Sequence, residues 1–339
     1  MMTLPSASQT HRLVARSIVG LIAASLLVAC EAKAPAGAAS ASSSPATAAA
    51  NPKIRALLDK TLKNLRFIEG GSFQMGDFGP LDAPDKLPYN GRADNKVLHK
   101  VTLDSFSMSA YKTTYEDHDV YSETVGKPLV GTDELTKKYR YPTAAAGLLW
   151  QQARDYCQWL GQRLDLPMDL PTEAQWEYAA RNRGAFFLFA TDNGKVDAGR
   201  NVWEYSQRKD FVHTLTQEGF NPPSLPLGRF PPTPLGLYDM MTDGFEWTRD
   251  WYDPNYYTVS PEKNPQGPVS GSEKVLRSWR SSDGEGISYG DGQTTARSHR
   301  QPDPPKLDAQ LKPVPNRNMV ADTGARCVVN RPAPIGDTR

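Results

Sequence analysis

The chain has 339 residues, 39% of them hydrophobic and 23% charged, with Lys plus Arg (39) nearly equal to Asp plus Glu (38). That balance excludes binding to nucleic acid or anionic lipid by bulk charge, and the composition excludes a polytopic membrane protein or a disordered tail. Against only 5 His and 3 Cys, the 28 Pro and 26 Gly point to many turns and short elements, and disfavour long bundles and solenoids.

The first 29 residues read as a signal peptide. His11, Arg12 and Arg16 form a short basic segment, and Ser17 to Ala29 is an uncharged apolar run too short for a permanent bilayer span. The run ends in Leu27-Val28-Ala29-Cys30, which resembles the bacterial lipobox, so cleavage is expected before Cys30 and a lipid on its sulfur. Residues 30–52 are then the lipidated cysteine and a flexible tether of Ala, Ser and Pro. By resemblance to the sorting rule of such lipoproteins, Glu31 directs the chain to the outer membrane. The domain would face the periplasm, with the lipid as its only membrane contact. Cleavage removes Arg12 and Arg16, leaving 37 basic groups (39 minus 2) against 38 acidic ones, and no nucleic acid is expected as a partner. Two cysteines remain, Cys157 and Cys327. In an oxidising compartment they are expected to form a disulfide.

Asn51 to Leu65 carries Ile54, Leu57, Leu58, Leu62 and Leu65 at helical spacing and predicts a short helix. Phe67 to Gly76 holds two apolar runs about Gly70-Gly71 and predicts a hairpin. Val101 to Met108 alternates as a strand whose phase slips between Leu103 and Phe106, as at a bulge. Ala144 to Leu160 places Leu149, Ala153, Tyr156, Cys157 and Leu160 on one helical face, which buries Cys157. Within Leu170 to Arg181, Thr172 and Gln175 form a reciprocal capping box, Glu173 faces the positive helix end, and Trp176 and Ala180 point to the core. From Asn182 through Tyr238, Pro and Gly punctuate the chain and regular pattern is scarce. With no repeat and no second linker, residues 53–331 read as one domain and 332–339 as a tail.

Five segments in order carry a resemblance: Phe67-Ile68-Glu69-Gly70-Gly71-Ser72-Phe73-Gln74-Met75-Gly76, Leu170-Pro171-Thr172-Glu173-Ala174-Gln175-Trp176-Glu177-Tyr178-Ala179, Gly236-Leu237-Tyr238-Asp239-Met240, Glu246-Trp247-Thr248-Arg249-Asp250-Trp251, and Gly324-Ala325-Arg326-Cys327. Together they resemble the formylglycine-generating enzyme, or sulfatase-modifying factor, family. The resemblance implies an α+β, loop-rich single domain, a variant of the C-type lectin fold, and calcium. In active members two thiolates hold copper(I), a soft ion suited to soft ligands, and with molecular oxygen a client cysteine becomes formylglycine. The matching stretch here, Ser288 to Ser298, contains no cysteine. Aligned on Ala296-Arg297-Ser298, it puts Tyr289 and Thr294 at the thiolate positions, and a shift by one puts Gly290 and Thr295 there. Another branch holds iron through a His-x3-His-x-Glu run, a spacing that His99, His118, His213 and His299 lack. The chain thus reads as a lipoprotein of the family lacking the catalytic cysteine pair. The positions of Cys157 and Cys327 pair as a disulfide in the relatives, and neither copper nor iron is expected.

The calcium that the resemblance implies would be held by Asn201, the Val202 carbonyl, Glu218 and the Phe220 carbonyl, all hard oxygen donors. A second ion would rest on Asp243 and Glu246. Where the family reads Arg-Gly-Gly-Ser and an aromatic, this chain has Arg277-Ser278-Trp279, and Ser278 is expected to be strained where glycine is usual. Arg277, Trp279, Tyr289, Arg297 and His299 would form an aromatic and basic cleft suited to a protein partner. His118, inside Glu116-Asp117-His118-Asp119, reads as part of a solvated loop. Three functions compete. One is a periplasmic protein-binding module, such as an immunity protein to a secreted phospholipase-type effector. Another is an oxidoreductase of the formylglycine-generating or siderophore-maturation branch with an unrecognised centre. The third is a calcium-dependent lectin-like binder.

Overall fold

Asn51 accepts the backbone N–H of Lys53 at 2.9 Å and so caps helix α1, Pro52–Asn64, whose Ile54 and Leu57 are buried. The computed structural model describes residues 51–134, 136–216, 222–279, 292–304 and 321–335. Residues 1–50, Cys30 among them, lie outside these, while Asn51 and Pro52, read from the sequence as the end of the tether, are the cap and first residue of α1.

Strands β1 (Leu65–Ile68) and β2 (Gly71–Met75) follow, then β3 (His99–Leu103) and β4 (Phe106–Ser109). The hairpin expected about Gly70-Gly71 is not formed. β1 pairs with β4, β2 pairs with β3, and the two ladders belong to different sheets. The reason is steric and local: a Cβ on Gly70 would lie 2.3 Å from the Leu103 carbonyl oxygen, so glycine lets the two chains cross closely while both change sheet. The Gly70 N–H donates to Ser105 Oγ at 2.9 Å at this crossing. The phase slip read as a bulge between Leu103 and Phe106 is thus a break between two strands.

Helix α2, Tyr115–Val125, starts at Thr114, which accepts from the Asp117 N–H, and stops at Gly126 in the left-handed region. Helix α3, Trp150–Leu164, buries Ala153, Tyr156, Cys157 and Leu160 as its periodicity predicts. It begins six residues later than expected, because Ala144 and Ala145 are tied in isolated bridges to Pro226 and Thr114. Strand β5 (Met168–Asp169) leads into helix α4, Glu173–Ala180. Its capping box is formed as predicted, the Gln175 N–H reaching Thr172 Oγ1 at 3.1 Å and the Thr172 N–H reaching Gln175 Oε1 at 2.9 Å.

Helix α5, Tyr205–Thr216, lies where no regular element was expected. The Glu204 carboxylate takes the first-turn N–H groups of Ser206 and Gln207. Beyond it come β6 (Phe245–Trp251), β7 (Lys274–Arg277), β8 (Ser298–Arg300), β9 (Thr323–Gly324) and β10 (Val328–Val329). One sheet runs β1-β4-β10-β5 and another β8-β7-β6-β9, with β2-β3 as a separate pair. Two buried clusters fill the interior, one around α3 and Trp247, the other around Trp176, Tyr178 and the β2-β3 pair. Among the described residues no helix is long and apolar enough to cross a membrane.

Candidate functional site

Five charged residues of the five segments, Glu173, Glu177, Glu246, Asp250 and Arg326, lie in two buried hubs, whereas Glu69 and Arg249 pair elsewhere with Arg183 and Asp169. In the first, Glu173 and Glu177 stand one turn apart on α4, both at most 2% exposed. Arg297 donates to Glu173 through Nε at 2.7 Å and Nη2 at 3.0 Å. Arg277, at the end of β7, bridges both carboxylates, reaching Glu173 at 2.9 Å and Glu177 at 3.0 Å. Arg181 closes the set on Glu177 at 2.9 Å. Burial pushes the Glu173 carboxyl up, but Arg297 and Arg277 together hold it below its ordinary value. Asp250 faces the same hub from β6 and accepts the Glu173 N–H at 2.9 Å. Its own burial and the Glu173 charge push its carboxyl up to about 7.

The second hub centres on Glu246. Arg326 grips it through two nitrogens at 2.7 and 2.9 Å, Trp176 Nε1 donates at 3.0 Å, and the Lys112 ammonium lies 3.8 Å away. Arg326 also donates to the Ser109, Ala110 and Tyr238 carbonyls, and Lys112 to those of Asp239 and Thr242. Charges this deep persist only when each is paired. The hubs therefore explain why Glu, Arg and Asp recur in segments that otherwise read as core.

The first hub supports an exposed face beside Ala296-Arg297-Ser298. Arg297 lies 5.0 Å behind the Tyr252 ring. Tyr252 stacks on His299 with centroids 3.9 Å apart and planes 15° apart. The Tyr252 hydroxyl donates to Asp94 at 3.0 Å, and His299 Nδ1 is 2.8 Å from Glu273 Oε2. Burial first, then the Asp94 charge, push the Tyr252 phenol up to about 12. Tyr252, Glu273 and Asp94 carried no signal in the sequence beyond their types, since only the fold brings them to His299.

The predicted partner cleft is corrected accordingly. Arg277 and Arg297 are 0% and 1% exposed and spent on carboxylates, so they form no basic surface. Trp279 is half-buried and meets Phe245 edge-on at 5.6 Å, packed against the α3 core. Of the four that are described, only His299 is exposed, and Tyr289 lies outside the described residues. Ser278 does adopt the left-handed conformation expected where glycine is usual, with φ +67° and a buried hydroxyl that has no partner among the described residues. His118 is not in a solvated loop: it is 2% exposed among Tyr121 and Tyr156, and burial lowers it to about 4.

The described donors assigned to calcium have partners within the protein. Asn201 Oδ1 accepts the Asp197 N–H at 2.8 Å, and the Val202 carbonyl accepts from Gly199 at 2.8 Å. Glu218 and Phe220 lie outside the described residues. Asp243 accepts from the Leu225 N–H and the Thr242 hydroxyl. Glu246 already faces Arg326 and Lys112, an arrangement that fits these internal cations and not a divalent ion. Among the described residues no group of three or more His, Cys, Asp or Glu could hold a metal.

Fold and site together define an α+β, loop-rich domain in which buried ion pairs frame a surface built on β6, β7 and β8. Residues 53–330 match the sulfatase-modifying factor enzyme 1-like domain, and the chain belongs to that family. The formylglycine-generating enzyme of Streptomyces coelicolor is 32% identical over 154 residues, covering 44% of this chain and 45% of that enzyme. A Chlamydia pneumoniae protein, serine/threonine-protein kinase pkn1, is 28% identical over 249 residues, covering 65% of this chain and 33% of that protein. The chain thus spans less than half the length of these two relatives. Among solved structures, PvdO from Pseudomonas aeruginosa shares the fold, with a TM-score of 0.56 at 21% identity over 79% of this chain and 94% of PvdO.

The reading of a family member lacking its cysteine pair needs correction. Of three cysteines, Cys157 and Cys327 are joined as a disulfide with Cα atoms 5.5 Å apart. A cysteine pair is present, in oxidised form, and its absence does not describe the chain.

Proposed function

We propose that the chain is a maturation enzyme of the sulfatase-modifying factor family, an oxidoreductase of the formylglycine-generating or siderophore-maturation branch. It acts on a protein or peptide substrate in the periplasm while anchored to the envelope through lipid on Cys30. The observation that carries this reading is the family match from 53 to 330. The segment Ala296-Arg297-Ser298 is also held in its frame by two Arg297 bonds to Glu173. A partner-binding role for an immunity protein loses its support, because the arginines it relied on are buried.

The test is turnover. Purified protein, metal-supplemented and in air, is offered a Cys-x-Pro-x-Arg peptide and, separately, a siderophore precursor peptide, and both are followed by oxygen uptake and mass spectrometry. Oxygen-dependent mass change in either substrate supports the proposal and selects the branch. No change in either, from protein with its native fold, overturns it.

A further inference from the structure

We propose that His299 is the proton acceptor of this site, with Nε2 as the accepting atom, and that it serves substrates whose reacting group is an acidic X–H bond, a thiol or a phenol. This inference rests on the maturation-enzyme reading above.

The geometry begins with Glu273. Its Oε2 lies 2.8 Å from His299 Nδ1, and a carboxylate is acceptor-only, so Nδ1 must carry the hydrogen. In the neutral ring that leaves Nε2 with its lone pair free. One face of the imidazole is covered by Tyr252 at 3.9 Å, which fixes the ring plane. Tyr252 is itself held by Asp94 at 3.0 Å and backed by Arg297 at 5.0 Å. The side chain of His299 remains 42% exposed, so the ring is not sealed in the core. Among the described residues, the charged and titratable groups on this side are Glu273 before β7, Tyr252 after β6 with Asp94 behind it, and Arg297 on the Tyr252 ring.

The step is a proton transfer. The substrate X–H bond breaks, its electron pair stays on X, and the proton forms a bond to Nε2. Glu273 stabilises the resulting imidazolium, which later returns the proton to solvent. A thiol or phenol is suited to this because its acidity lies close enough to imidazole for the transfer at neutral pH, whereas an aliphatic alcohol or amide is not. Position supports the role as well: β8 carries His299 directly after Ala296-Arg297-Ser298, in register opposite Val275 of β7.

Two readouts test the assignment. Nitrogen-15 NMR of the imidazole at pH 8 needs no turnover and should show the Nδ1–H tautomer, with Glu273→Gln weakening that preference. In the turnover assay, His299→Gln should lower kcat at least tenfold with the disulfide and thermal unfolding unchanged. Glu273→Gln should lower kcat by a smaller factor than His299→Gln, because a neutral amide stabilises the imidazolium formed in the step less than a carboxylate does. An Nε2–H tautomer, or undiminished turnover in His299→Gln, overturns the assignment alone. Absence of turnover in the wild type overturns the oxidoreductase reading and the proton-acceptor role with it.

Discussion

Ser278 and Asp250 each hold a residue type in a place that opposes it. A side chain at φ +67° costs about 1 to 2 kcal/mol relative to glycine, and the buried Ser278 hydroxyl adds an unmet bond. Glycine also loses more chain entropy on folding, roughly 0.5 to 1 kcal/mol. The expected result for Ser278→Gly is a net gain of about 1 kcal/mol, read as a higher urea midpoint at unchanged slope. Asp250 has a folded value of about 7 against an ordinary 3.8. Its native state keeps a proton that the unfolded state loses, so it erodes stability as pH rises from about 4 to 7, after which the loss is constant. Asp250→Asn keeps an acceptor for the Glu173 N–H and removes the titration. It should match the wild type near pH 4 and exceed it by up to a few kcal/mol at pH 8. Denaturant curves at both pH values check the sign.

Elements were legible where the cause is local. Helix α4 could be read because Thr172 and Gln175 are three apart and cap each other, and α1 and α3 because their apolar residues share a face. The β1-β2 segment was misread because Gly-Gly marks a tight backbone passage without saying whether the chain turns back or crosses between sheets. Helix α5 was missed because a glutamate supplies its first-turn acceptor and its apolar positions, Val212 among them, pack into a small satellite cluster with Trp203 and Leu225. The site fared likewise. His299 could be picked from its place beside Arg297, but Glu273 and Tyr252 reach it only through the pairing of β6, β7 and β8, and Asp94 only because the turn before β3 packs against Tyr252 and Arg297. Arginines 277 and 297 looked like surface because their partners sit on α4, 100 to 124 residues away. Thr172→Ala should cost about 1 kcal/mol and, since α4 carries Glu173 and Glu177, speed amide exchange at Gln175 and throughout the first hub.

At the scale of the whole molecule, the disulfide and the hubs bind distant segments together. Cys157 and Cys327 are separated by 170 residues, and the bond restricts the unfolded chain, giving a stabilisation of roughly 2 to 5 kcal/mol. Cys157→Ser or Cys327→Ser should therefore lower the thermal midpoint substantially, and reducing agent should produce a similar fall in the wild type only. A variant as stable as the wild type in non-reducing buffer would show that the buried ion pairs alone hold the ends of the loop.

The position of β10 carries a consequence for biogenesis. This last strand is the inner neighbour of both β4 and β5, its Val328 facing Met108 on one side and Asp169 on the other. An earlier sheet cannot close around a strand not yet synthesised, so a nascent or translocating chain stays open along the middle of that sheet until residue 329 arrives. Closure of that sheet is thereby deferred until nearly the whole chain has been made. A stop codon before Thr323 would remove β10, Arg326 and Cys327 at once, and such a chain should be cleared by proteases instead of accumulating in shortened form.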